Sequence, residues 1–148
     1  MNIQILPAVL EDGFNPVLLV LDYWDQPRSG IAMQEGKPVR FSCQFDEKKD
    51  DYSSTYLVRA VSESSFRLEL EAYEIYFRHP PCPEIGRLLP DDHPIFPEAE
   101  SRYNEIQQQL AIDRQLSSSD STTAYPEFQR RQHETEFWAA RRLWSVKW

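Results

Sequence analysis

Val39, Phe41, Cys43 and Phe45 alternate with Arg40, Ser42 and Gln44. That is the period of a strand with one apolar face. Pro38 can precede it, because the first residue of a strand need not donate to the ladder. Upstream, residues 17–21 form a continuous apolar run, VLLVL, which reads as a strand buried on both faces. A turn is expected over Asp25-Gln26-Pro27-Arg28-Ser29-Gly30, then a short strand over residues 31–34 and a hairpin at Glu35-Gly36. The polar run 46–51 reads as an exposed connection, and residues 55–61 as a further strand. The three strands between 31 and 61 are close in sequence, so a meander is the simplest pairing.

The period changes at residue 62. Phe66, Leu70, Tyr73 and Phe77 lie on one helical face, with Ser62 as N-cap and Pro80 as a stop, which predicts a helix over 62–79. Ala99, Tyr103, Ile106 and Leu110 predict a second over 98–116. Six of the eleven prolines fall in 80–97, a connecting segment that is neither helix nor central strand. Residues 117–125 read as a polar linker. Pro126 then opens a basic, aromatic C-terminal helix over 126–148. The expected fold is α+β within a single domain spanning 1–148. An antiparallel sheet of about four strands over residues 17–61 is covered by about three helices from the C-terminal half.

The 148 residues are 41% hydrophobic and 27% charged, a globular composition. The net charge of −8 disfavours a polyanionic partner such as nucleic acid. Charge is uneven: residues 126–148 carry +2 and the rest −10. The longest strongly apolar run is far too short to span a membrane, and the first ten residues lack the basic start of a signal peptide. Cys43 and Cys82 make no disulfide framework, which fits the cytoplasm. The four glycines are too dispersed for a phosphate-cradling loop, and GxSxG is absent, so no cofactor is implied.

Four constellations bear on chemistry. Asp22 and Asp25 follow the first strand, and Asp46 and Asp50 follow the third; converging, they would hold a divalent cation or shift a carboxyl pKa for general acid work. The competing reading is that aspartates cap turns. His79, Cys82 and His93 are weak metal candidates, without a fourth ligand at zinc spacing. Trp24 and Arg28, beside Asp22 and Asp25, read as a ligand pocket or as a structural turn. In the turn reading Arg28 pairs with an aspartate while Tyr23 and Trp24 cover the core. Trp138, Arg141, Trp144 and Trp148 make the strongest interaction signal, since Trp and Arg dominate interface hot spots. One reading is a last helix docked on its own domain; since these aromatics with Phe137 cover a broad helical surface, the other is that part of it buries against a second copy or a different protein. Cys43 reads as a core thiol. The expected function is a non-catalytic protein binding another protein or itself, for example an inhibitor of a basic protein. The alternative is a small metal-assisted hydrolase using the clustered carboxylates.

Overall fold

The computed structural model describes residues 13–78, 97–130 and 144–148. The chain runs β1 (Asn15–Trp24), β2 (Gln26–Gln34), β3 (Lys37–Asp46), β4 (Asp51–Ala60), α1 (Glu63–Arg78), α2 (Pro97–Leu110), β5 (Thr122–Ala124), β6 (Glu127–Arg130) and β7 (Trp144–Lys147). It divides into two compact units: residues 1–61 with 116–148, and residues 62–115.

The first unit is a seven-stranded antiparallel sheet in the order β5-β4-β3-β2-β1-β7-β6. The expected meander forms its centre. The β2–β3 hairpin turns through Glu35 and Gly36, both at positive φ (52° and 78°), the conformation a two-residue turn between twisted strands requires. The β1–β2 and β3–β4 turns likewise place Asp25 and Asp50 at positive φ, which aspartate tolerates better than most residues.

Laid flat, seven strands would separate the edges β5 and β6 by about 29 Å. Only Tyr125 and Pro126 join them, a reach of roughly 11 Å. The sheet must therefore curl into a half-barrel, and ring contacts across its concave side show that it does. Phe128 of edge strand β6 lies 5.5 Å from both Phe41 of β3 and Tyr56 of β4. Trp148 reaches the same cluster, 6.2 Å from Phe41, and its indole N–H donates to the Met33 carbonyl at 2.8 Å. Val17, Ala32, Val39, Cys43, Val58 and Val146 complete this core. Gly30 is required where β1 bulges toward β2: a Cβ there would stand 2.1 Å from the Leu19 carbonyl oxygen.

The second unit pairs α1 and α2 around Ala72, Ile106 and Leu110, with Leu68, Ile75 and Tyr103 alongside. The Ser62 hydroxyl accepts from the Ser65 N–H at 3.2 Å, the N-cap the sequence predicts. Arg102 forks onto both carboxylate oxygens of Glu71, at 2.7 and 2.9 Å, and Arg114 Nε meets buried Glu69 at 2.7 Å. These pairs fix the register of the hairpin.

The four-stranded sheet under three helices is thus corrected to a seven-stranded half-barrel with two helices among the described residues. The expected helix over 126–148 is wrong, because β6 and β7 occupy both of its described ends. Its local pattern explains why: Trp144, Val146 and Trp148 alternate with Ser145 and Lys147, and burial across the barrel outweighs helix propensity. The polar linker over 117–125 contains β5, whose Thr122 and Thr123 pair with Val58 and Leu57. Pro97 opens α2 instead of closing the proline-rich segment, since a first helical residue has no intrahelical use for its N–H.

Candidate functional site

The β1–β2 and β3–β4 turns lie at the same end of the half-barrel, and Arg28 of β2 binds them together. Its side chain enters the concave face beside Cys43 and Tyr56. Nε donates to the Trp24 carbonyl at 3.1 Å, Nη1 to the Tyr56 hydroxyl at 3.3 Å and toward Cys43 Sγ at 3.5 Å, and Nη2 to Asp25 Oδ1 at 2.6 Å. The guanidinium carbon stands 4.6 Å from the centre of the Tyr52 ring, a cation–π contact with β4. Burial alone would lower its pKa, but the hydrogen bonds to Asp25 and Cys43 and the charge of Asp25 outweigh it and hold the pKa raised. Arg28 is a fixed charge with nearly all its donors occupied. It is a bracket, not a free ligand contact.

Tyr56, the other half of the bracket, donates to the Pro27 carbonyl at 2.7 Å and accepts from Gln26 Nε2 at 3.0 Å. Burial pushes its pKa up to about 12, against the Gln26 hydrogen bond, which works the other way. Cys43 Sγ donates to the Ser53 carbonyl at 3.2 Å, and the residue is buried, as expected of a core thiol. The Tyr52 hydroxyl points at Asp22 Oδ2, 3.5 Å away; partial desolvation and then the Asp22 charge raise its pKa.

Aromatic side chains stand exposed above this bracket. Trp24 is 66% exposed, Tyr23 51% and Phe45 50%, and Leu21 is exposed beside them. Phe45 meets Tyr52 edge-on at 5.3 Å, and Tyr23 lies 5.9 Å from Trp144. The turn reading is therefore half right. Arg28 does pair with Asp25, but Tyr23 and Trp24 do not cover the core. The bracket takes Trp24 by its carbonyl and leaves the indole in water.

The carboxylates divide. All four candidate aspartates lie at this end of the sheet but do different work: Asp25 pairs with Arg28, and Asp22 faces the Tyr52 hydroxyl. Asp46 accepts from the N–H groups of Lys48 and Lys49 at 3.0 and 3.3 Å, so it caps its own turn, and Asp50 supplies the positive φ of that turn. Among the described residues, no three His, Cys, Asp or Glu side chains gather into a group that could hold a metal ion. His79, Cys82 and His93 lie outside the described residues, as do Trp138 and Arg141. Trp144 and Trp148 pack against the core of their own sheet. Sequence reasoning missed Phe45 and Tyr52 as site members. Phe45 continues the apolar alternation of β3, but a register shift between Cys43 and Phe45 releases it to the surface.

No protein-family model, curated protein or solved structure matches this chain. Among the described residues, no helix is long and apolar enough to cross a membrane.

Proposed function

We propose that the protein is a non-catalytic binding module that docks a protein partner on the aromatic end of its half-barrel. The observation that carries this reading is the exposure of Trp24, Tyr23 and Phe45 over a bracket whose own polar groups are satisfied. Large aromatics exposed at one end of a sheet are the residue type that interfaces bury. The carboxylates favour the same reading: Asp25 is committed to Arg28 and Asp46 to its turn, which is what turn aspartates do.

Lys48 and Lys49 are exposed in the β3–β4 turn and report on this surface. An amine-reactive cross-linker applied in an extract of the native cell should join them to a partner, with the peptides identified by mass spectrometry. The joined product should disappear with Trp24→Ser/Phe45→Ser while the lysines remain reactive. Cross-links indifferent to that double substitution would overturn the reading. Joining of two copies of the chain would make self-association the binding event.

A further inference from the structure

Resting on that docking reading, we infer that the segment bound at the aromatic end is arginine-rich, its guanidinium groups stacking on Trp24 and Phe45 and pairing with Asp22. The charge of this end is lopsided. Asp22, Asp25, Asp46, Glu47, Asp50 and Asp51 stand against Lys48, Lys49 and the buried Arg28. The two turns are physically joined, because Tyr52 next to one reaches Asp22 next to the other. Asp25 and Asp46 have partners of their own, but an apolar partner would desolvate Asp22, Glu47 and Asp50 without compensation. A cationic one neutralises them.

The aromatic content selects among cations. A guanidinium is planar and weakly hydrated, stacks on ring faces and forks onto carboxylates, whereas an ammonium is a compact, strongly hydrated charge. The protein already contains one such arrangement at this end: Arg28 lies over the Tyr52 ring while its Nη2 meets Asp25. The exposed Trp24 and Phe45 rings and the exposed Asp22 carboxylate offer the same two kinds of group at this end of the sheet. Among the described residues, Asp22 keeps capacity for a ligand: its Oδ1 accepts from the neighbouring Tyr23 N–H at 3.0 Å, and its contact with Tyr52 is long.

The test uses the full chain and two fluorescein-labelled probes, a nona-arginine and a nona-lysine peptide, followed by anisotropy at physiological ionic strength. Nona-arginine should bind several-fold tighter than nona-lysine. Trp24→Ser/Phe45→Ser leaves net charge unchanged yet should weaken nona-arginine by about tenfold, and Trp24→Phe should recover most of that loss. Asp22→Asn should weaken it several-fold. Glu35→Gln, the same loss of charge in the turn at the opposite end, should not. Equal affinity for the two peptides, unaffected by the aromatic substitutions, would mean plain attraction to an acidic protein and would overturn the inference. Absence of nona-arginine binding would overturn it too. If cross-links from Lys48 or Lys49 still depended on Trp24 and Phe45 in that case, the docking reading would stand and only the arginine assignment would fall.

Discussion

The two ends of the half-barrel treat aromatic side chains in opposite ways. Near the β2–β3 turn the chain reverses through two residues, and Trp148 lies over Phe41 with its indole N–H on the Met33 carbonyl. At the β1–β2 and β3–β4 end, Trp24, Tyr23 and Phe45 are held out, although the cluster beneath them is closed by Arg28. The ends also differ in backbone: β1 and β3 shift register toward the aromatic end, whereas β2 and β3 pair without a shift. The docking proposal rests on the difference in exposure: among the described residues, the exposed rings are not covered by the core beneath them. The polar bracket closes the described part of that end without them, which supports the proposal that they meet another molecule.

Gly30 supports both ends, so its substitution should have the largest effect. Gly30→Ala places a methyl group against the Leu19 carbonyl, where only backbone movement can relieve it. We expect a loss of about 3 kcal/mol or more in urea unfolding, with both ends affected together. Arg28→Met should separate them. It removes the donor to the Trp24 carbonyl, one of the two donors to the Tyr56 hydroxyl and the partner of Asp25, and costs about 2–3 kcal/mol. Amide exchange should quicken across the β1–β2 turn while Met33 and Val39 keep their protection; uniform quickening would show that the bracket is not local.

Alkaline pH tests the same bracket. Tyr56 has its pKa raised above the ordinary 10, to about 12, so the neutral phenol is the form the fold stabilises. That contribution is complete below pH 10 and is lost as pH rises through about 12. Tyrosinate absorbance should show a step near pH 12 that is lost in Tyr56→Phe, with loosening of the aromatic end first. The smallest effect is expected away from both ends. Asp120 is held down to about 2 from 3.8 by hydrogen bonds from the Ser121 hydroxyl and the Ser117 N–H and by Arg59. This lowered carboxyl contributes above its ordinary pKa and is lost as pH falls through about 2. Asp120→Asn should remove a small part of the acid sensitivity, read as a flatter unfolding midpoint between pH 4 and pH 2.

The central meander was legible because its strands carry their own signals: the alternation of β3, the apolar run in β1, the Glu35-Gly36 turn. The two helices were legible from their spacing and from the Ser62 cap. The outer strands were not. β5 and β6 are three and four residues long, and they are strands because they pair with β4 and β7, contacts distant in sequence. The WSVKW alternation at the C-terminus was a strand signal masked by a broader aromatic and basic pattern that suits a helix. At the site, the Arg28–Asp25 pair could be read from its spacing, whereas Tyr52 and Phe45 join it only through the β3–β4 pairing and its register shift.

Urea unfolding of two variants side by side tests the contrast between the ends most directly. Trp24→Ser/Phe45→Ser should stay within about 0.5 kcal/mol of the parent, as exposed positions do. Trp148→Ala, which removes the Met33 hydrogen bond and the Phe41 contact, should lose about 2–3 kcal/mol. Comparable losses in both variants would contradict the account, because the exposed aromatics would then belong to the fold and not to a binding surface.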